Sequence, residues 1–153
     1  MQGKVAENKE EARKMLDEVV ASGKAFETFK DMVKAQGGNV DMIENPELLP
    51  QSKFKTEIKS EESGNVKVLH SERLGVLAMQ LGAGRETKEQ DVNHAVGLEL
   101  ACKRGDKVNK GDTICIVYHD EELKPQWVDE LYHAFELTNE EVAPQPIIEK
   151  VLS

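Results

Sequence analysis

The spacing of apolar residues changes after the first 50 of the 153 residues, and this change divides the chain into two parts. As far as Gln36 the apolar residues recur every three or four positions, which is the period of an amphipathic helix. From Phe54 onward they alternate with polar residues, which is the period of a half-buried strand. A linker, Asn45–Pro50, lies between, and its prolines disfavour continued helix. The pattern predicts a helical segment with its linker over residues 1–50 and a second domain over residues 51–153.

Two helices are predicted in the first part. Asn8 followed by Glu11 forms a capping-box pattern, because the Asn8 side chain can accept from the first free amides of a helix. Glycine tolerates the left-handed conformation that ends many helices, and Ser22-Gly23 and Gln36-Gly37-Gly38 are placed to do so. The apolar stripes are Ala12, Met15, Leu16, Val19 and Val20 in one helix, and Phe26, Phe29, Met32 and Val33 in the other. Two such helices cannot bury both stripes alone, so they pack either on the rest of this chain or on residues outside it.

The second part mixes helices and strands without strict alternation, which predicts an α+β fold rather than a doubly wound sheet. The patterns predict strands at 54–58, 66–68, 96–102 and 114–118, and helices from Ser71, as N-cap, and from Pro125. A last short strand is predicted from Ile147, Ile148 and Val151. The expected core consists of Ile58, Val66, Val68, Leu98, Leu100, Ile114 and Ile116.

Composition excludes two classes of function. The net charge of −9 opposes a surface that neutralises nucleic-acid phosphates, so no nucleic-acid partner is expected. No segment approaches the roughly 18 apolar residues that span a bilayer, so no membrane partner is expected. The first residues show no apolar core and no cleavage signal, and a cytoplasmic protein is the expectation.

The sequence predicts no metal site and no catalytic group. His70, His94, His119 and His133 share no metal-ligand spacing, and Cys102 and Cys115 are expected to be reduced, partly buried thiols. Pairs of adjacent glutamates are expected on solvated faces. Gly82-Ala83-Gly84-Arg85 looks like a phosphate loop, but it follows a helix, whereas anions bind at helix N-termini. The simplest interpretation of these glycines is a helix cap and a mobile connection.

Gly105-Asp106 and Gly111-Asp112 are turn signals six residues apart. They resemble the turns of biotinyl and lipoyl carrier domains. A carrier needs a lysine at an exposed hairpin tip, and the nearest candidate segment has Gln80, which has no nucleophilic amine. The likeness is therefore one of local fold, and no prosthetic group or other cofactor is expected.

Several short motifs run in a fixed order through the chain. They are Met32-Val33-Lys34-Ala35-Gln36-Gly37-Gly38, Pro46–Pro50, Met79–Arg85, His94–Gly97 and Gly105–Val108. Together they resemble the pyrimidine nucleoside phosphorylases, the family that includes thymidine phosphorylase. The likeness covers essentially the whole chain, and residues 56–153 resemble the family's C-terminal domain. Ala83 departs mildly from the pattern, because some members have a third glycine there.

The resemblance implies a longer enzyme. Members of the family cleave a pyrimidine nucleoside with inorganic phosphate to a free base and a pentose 1-phosphate, and the parent is expected to be a homodimer. Their phosphate-binding and base-binding residues lie in earlier segments with no counterpart here. The resemblance therefore implies no catalytic and no substrate-binding residue in this chain, which is expected to be an inactive C-terminal fragment. Residues 1–50 would come from the parent α/β domain, and a hammerhead or barrel-sandwich-like domain would follow.

The resemblance also suggests a role for Gly82, Gly84 and Arg85 as a closure loop. Such a loop would order when the parent enzyme closes on its substrates, with Arg85 bonding across the cleft. Two other interpretations of the chain stay open. It could be a freestanding binding or scaffold module that shares this domain, or a carrier-type domain.

Overall fold

A computed structural model describes residues 5–85, 87–144, 146–148 and 150. The chain divides into two compact units, Met1–Leu49 and Pro50–Ser153. In the described residues, the first unit contains helices and no strand, and the second contains helices and two small sheets. The α+β class predicted from the sequence is confirmed. Its finer description as a hammerhead or barrel-sandwich-like domain stays a prediction.

The first unit is a helical hairpin followed by short turns. Helix α1 spans Lys9–Ala21 and helix α2 spans Lys24–Ala35. A short helix α3 spans Asp41–Glu44, and a single 3₁₀ turn covers Pro46–Leu48. The predicted cap of α1 is present, because the Asn8 side chain accepts from the backbone N–H of Glu11 at 2.8 Å. Two predicted helices therefore form with the expected start and turn.

Neither of the two long helices of the first unit contains a buried residue. Most of the residues in the two predicted apolar stripes are exposed: Met15, Leu16, Val19, Val20, Phe26, Phe29 and Met32. The stripes lie at the helical spacing that the sequence predicted. What the first unit lacks is a surface that covers them.

The second unit is built on two antiparallel sheets of three strands each. The strands are β1 Phe54–Lys59, β2 Gly64–Leu69, β3 Gly97–Leu100, β4 Lys107–Val108, β5 Thr113–His119 and β6 Phe135–Thr138. One sheet has the order β1-β5-β3 and the other has the order β4-β2-β6. Helix α4 spans Ser71–Ala78 and continues into a π-helical turn at Met79–Ala83; helix α5 spans Pro125–His133. His70, not Ser71, is the N-cap of α4, and its side chain makes no capping bond.

The core of the second unit is centred on β5 and α5. Its most deeply buried large side chains are Leu131, Val66, Val117 and Cys115. Of the expected core residues, Ile58, Val66 and Ile114 are buried, and Val68, Leu98 and Ile116 are half-buried.

Leu100 was expected in the core but is 42% exposed. It lies at the end of β3, which pairs with β5 on one side only. An edge strand leaves its last side chain without a neighbour to cover it. Ile116 is only half-buried because Cys115 and Val117 occupy the inward-facing positions on β5, and strand side chains alternate between faces.

The predicted closing strand is wrong for Ile147 and Ile148, which are exposed and lie in no strand. Val151 lies outside the described residues. Residues 140–143, which precede these isoleucines, accept hydrogen bonds from side chains and are not paired in a strand. Arg104 donates to the carbonyl of Ala143 at 2.8 Å, and Asn65 donates to that of Glu140 at 2.9 Å.

The two Gly-Asp turns have the same internal structure, one over Lys103–Asp106 and the other over Asn109–Asp112. In each, the aspartate N–H donates to the carbonyl three residues earlier at 3.0 Å. In each, the aspartate carboxylate accepts from the N–H of the first residue, at 2.9 Å and 2.8 Å. Gly105 and Gly111 have φ of 94° and 92°, the left-handed region that favours glycine.

The two turns also bind the rest of the unit in the same way. The glycine N–H of the first turn donates to the carbonyl of Val66, and the Val66 N–H donates to the aspartate carbonyl, both at 2.9 Å. The second turn makes the same pair of bonds with Ser60, both at 2.8 Å. Two equivalent turns therefore hold two positions that are six residues apart on the β1–β2 segment.

Candidate functional site

The glycines of the candidate closure loop follow the C-terminal end of a helix. Helix α4 runs into the π-helical turn Met79–Ala83, inside which Gly82 has φ of 105°. Only glycine adopts this conformation at little cost. Because these amides do not converge at a helix N-terminus, the local structure offers no phosphate cradle of that kind.

Gly84 is needed for a different reason. Its backbone is extended, but a Cβ added there would lie 3.1 Å from Cβ and 3.2 Å from Cα of Met79. The chain therefore passes close over the end of the helix, and a side chain at this position would push it away. One glycine sets the direction of the chain and the other allows the close approach.

Arg85 stands at the start of an exposed segment. The residues from Arg85 to Asp91 that the structure describes are all exposed. No hydrogen bond or ion pair joins Arg85 to another described residue. The Thr87 N–H donates to the Gln90 side chain at 3.2 Å, so the segment contains a local turn. Arg85 thus presents its guanidinium to solvent.

The loop borders an open cleft of about 440 Å³ in the second unit. The cleft lies between the end of α4 and the start of α5, and most of its polar lining consists of side-chain amides. The ammonium of Lys124 lies 4.5 Å from the centre of the Trp127 ring, a cation–π contact at the mouth of the cleft. The lining residues are Met79, Gln80, Gly82, Gly84, Gln90, Asp91, Lys124, Gln126 and Trp127.

This cleft holds polar groups suited to binding, but no arrangement suited to proton transfer. A general base has to lie within hydrogen-bond reach of a reacting group, and its pKa has to be near the working pH. Among the described residues that line the cleft, the charged groups are Asp91 and Lys124, and none is a histidine, cysteine or serine. The arrangement can hold or cover a ligand, and its side chains provide no complete catalytic set.

His70 and His119 have different surroundings. His70 pairs with the carboxylate of Glu136 at 2.7 Å at the surface, whereas His119 is buried. His119 binds Thr56 Oγ1 through Nε2 at 2.8 Å and the Glu121 carbonyl through Nδ1 at 2.7 Å. Within the part of the chain that the structure describes, no three His, Cys, Asp or Glu side chains are grouped as a metal ion would require.

Both cysteines are free and buried. Burial raises the pKa of the Cys102 thiol, and burial raises that of Cys115 to about 12. A thiol in this state is a poor nucleophile, because the thiolate is the reactive form. The cysteines therefore serve as small core residues.

Gln80, the residue at the carrier-like position, lies in the π-helical turn and not at a hairpin tip. It has neither the amine nor the setting that attachment of a prosthetic group requires.

One contact near the loop had no sequence signal. Asn93 Nδ2 donates to Asp120 Oδ2 at 2.7 Å, across 27 positions of sequence. Neither residue belongs to a recognisable motif, and only the fold brings them together.

The comparisons with known proteins bear on this domain directly. Residues 65–138 match the model of the pyrimidine nucleoside phosphorylase C-terminal domain. The matched segment contains α4, the Gly82–Arg85 loop, both Gly-Asp turns and α5. The chain is similar to the C-terminal part of the pyrimidine nucleoside phosphorylases.

Two curated relatives extend the match to nearly the whole chain. The pyrimidine-nucleoside phosphorylase of Bacillus subtilis (strain 168) is 39% identical over 144 residues, which are 94% of this chain and 33% of the relative. That of Staphylococcus aureus (strain USA300) is 40% identical over 148 residues, 97% of this chain and 34% of the relative. The chain therefore spans about a third of the length of the curated relatives it matches, and the match includes the helical first unit.

Among the described residues, no helix is long and apolar enough to cross a membrane.

Proposed function

We propose that this chain acts as the C-terminal part of a pyrimidine nucleoside phosphorylase, which converts a pyrimidine nucleoside and phosphate to a free base and a pentose 1-phosphate. The similarity to named phosphorylases along 94% and 97% of the chain is the observation that carries the proposal. The working protein is a cytoplasmic homodimer whose phosphate and base sites lie in the segments that precede this match.

In this proposal the chain contributes structure and cleft closure, and is inactive by itself. The cleft beside Gly82–Arg85 lacks a catalytic set, which supports the assignment of chemistry to other segments. The exposed apolar stripes of α1 and α2 support a further part of the proposal, that residues 1–50 complete an α/β domain formed largely by preceding residues. A contiguous exposed apolar surface is typical of a protein interface.

The Gly82–Arg85 loop would close over bound substrates in the complete enzyme. Arg85 is exposed, and the structure gives it no partner among the described residues, so it is available to bond across a cleft. Lid residues of this kind change kcat and KM without taking part in the chemistry.

A chimaera tests the proposal. Residues 5–150 of this chain would replace the matching third of the Bacillus subtilis pyrimidine-nucleoside phosphorylase, and phosphorolysis of uridine and thymidine would be measured. We expect the chimaera to turn over on the order of 1 s⁻¹ or faster, and this chain alone to show no turnover. A folded but inactive chimaera would count against the proposal, as would comparable activity in the purified chain alone.

Arg85→Ala in the active chimaera tests the closure role. We expect kcat/KM to fall roughly tenfold, the effect of losing one charged hydrogen bond of about 1.5 kcal/mol. Lys88→Ala, an exposed cation in the same loop, is the matched control and should change kcat/KM less than twofold. Wild-type kinetics combined with a lower melting temperature in Arg85→Ala would make Arg85 a structural cap and remove the closure role.

A further inference from the structure

The loop that follows α4 is closed at its base by a backbone hydrogen bond. The N–H of Asn93 donates to the carbonyl of Gly82 at 2.9 Å, so the two ends of the 83–92 segment meet. This pair of residues is called the neck. Compact surface loops whose ends lie close together can move as units, because few bonds join them to the rest of the protein.

One side of the neck is held by the Asn93 side chain as well as by its backbone. Its Oδ1 accepts from the Ala95 N–H at 3.0 Å, and its Nδ2 donates to Asp120 Oδ2 at 2.7 Å. Asn93 therefore forms hydrogen bonds through its backbone N–H and through both polar atoms of its side chain.

Asp120 connects the neck to the central strand of one sheet of the second unit. It directly follows β5, the central strand of its sheet, which contains the buried residues Cys115 and Val117. Its other oxygen, Oδ1, accepts from the Lys53 N–H at 2.7 Å, next to the start of β1. One carboxylate thus joins the ends of the two strands β1 and β5 to the segment that leads into β3.

The other side of the neck and the described tip of the loop differ from Asn93 in side chain and exposure. Gly82 has a positive φ and no side chain, and the described residues from Arg85 to Asp91 are exposed. The Thr87 N–H donates to the Gln90 side chain and the Gln90 N–H donates to the Thr87 carbonyl, which forms a local turn within the loop. A loop that moves as a unit needs one fixed end and one end with a permissive backbone. Asn93 is the fixed end, and the glycine at position 82 is the permissive one.

We propose that Asn93, held by Asp120, is the fixed hinge of the 83–92 loop. Both are positioning residues, because they touch no substrate and act by setting where the loop carries Arg85. The use of this hinge in catalysis rests on the function proposed above, whereas the hinge itself is a property of this domain.

Hydrogen exchange of the 153-residue chain, followed by mass spectrometry without nucleoside or phosphate, tests the hinge. In Asn93→Ala we expect amide exchange in peptides covering residues 82–95 to speed up about tenfold, with exchange in β5 unchanged. Asn65→Ala is the matched control, since it also removes one asparagine hydrogen bond, to the Glu140 carbonyl, but outside the neck. The control should leave exchange in 82–95 as in the wild type.

Asn93→Asp is a second variant of nearly unchanged size. The new side chain keeps an oxygen that accepts from the Ala95 N–H, but it places a second carboxylate next to that of Asp120. The charges of Lys53 and His119 also influence the Asp120 carboxylate. At pH 7 we expect it to open the neck as Asn93→Ala does. Unchanged exchange in 82–95 in the variants that fold would overturn the hinge. Because the exchange experiment contains no substrate, unchanged exchange would not contradict the proposed enzymatic function. An inactive chimaera, in turn, would not contradict the hinge.

Discussion

The helical hairpin of residues 5–49 and the β-containing unit that follows differ in what their amphipathic patterns achieve. In the hairpin, the apolar stripes of α1 and α2 include no buried residue. In the second unit, α5 has an equally regular stripe, and its Trp127 and Leu131 are buried. A stripe identifies the face of a helix that needs cover, but it does not identify what provides the cover. In this protein one chain contains both an exposed stripe, in the hairpin, and a buried one, in α5.

The difference also concerns stability. Burying a leucine side chain contributes about 1.5–3 kcal/mol relative to leaving it exposed, and most of the stability of helices in proteins comes from such packing. The second unit therefore has its own source of stability, whereas the hairpin relies on local bonds such as its N-cap. The following measurements test this difference between the two units.

The largest expected difference is in thiol reactivity. Cys102 and Cys115 both lie in the core of the second unit, and their raised pKa values keep them as thiols at pH 8. We expect a disulfide reagent to label them at least about 1000-fold more slowly than the unfolded chain, because labelling requires unfolding that costs about 5 kcal/mol. Rapid labelling of the native protein would show that the core of the second unit opens as readily as the hairpin.

The same thiol gives a pH dependence with a definite sign. The folded pKa of Cys115 lies above that of an unfolded cysteine, near 8.5. The stability that it contributes is therefore fully present below pH 8.5 and is lost as the pH rises toward 12. Comparing wild type with Cys115→Ala in urea at pH 8 and pH 10.5 isolates this contribution. Equal pH dependence in the two proteins would contradict it.

Two matched leucine substitutions give the next largest effect. Leu131 is 1% exposed and Leu16 is 64% exposed, and both lie in helices. Leu131→Ala should lower the free energy of unfolding by about 2–5 kcal/mol, whereas Leu16→Ala should change it by less than about 0.5 kcal/mol. Urea unfolding is followed by the fluorescence of Trp127, the single tryptophan, for the second unit and by circular dichroism at 222 nm for the hairpin. Similar losses from the two substitutions would mean that the Leu16 face is covered in solution.

The smallest expected effect concerns the cap of α1. Asn8→Ala removes the bond from the Glu11 N–H and should cost that helix about 1 kcal/mol. Circular dichroism at 222 nm should show lost helix, while the Trp127 transition in urea stays in place. A shift of that transition would indicate that the two units unfold together.

The sequence predicted most of the elements and less of the packing. Local signals were sufficient for the ends of α1, the proline at the start of α5 and the two Gly-Asp turns, because each depends on residues close in sequence. The burial of Ile116 and Leu100 was overestimated, because it depends on which face of β5 points inward and on β3 being an edge strand. These are properties of the whole sheet.

The candidate site was predicted in part. Gly82 and Gly84 were recognised from the local glycine motif and from the family resemblance, and the structure adds why each is glycine. Asn93 and Asp120 were missed, because 27 residues separate them and only the pairing of β3 with β5 brings them together. No local pattern carries that information.

The paired Gly-Asp turns restrict how the length of this protein can vary. The turns are six residues apart, and so are their partners Ser60 and Val66. Surface connections usually tolerate inserted or deleted residues. Here one residue added between Asp106 and Gly111 would displace the second turn, so its hydrogen bonds to Ser60 would be lost while the first turn kept its bonds to Val66. The connection between the turns should therefore accept few changes of length, and it should accept changes of side chain at the exposed Lys107 but not at the buried Val108.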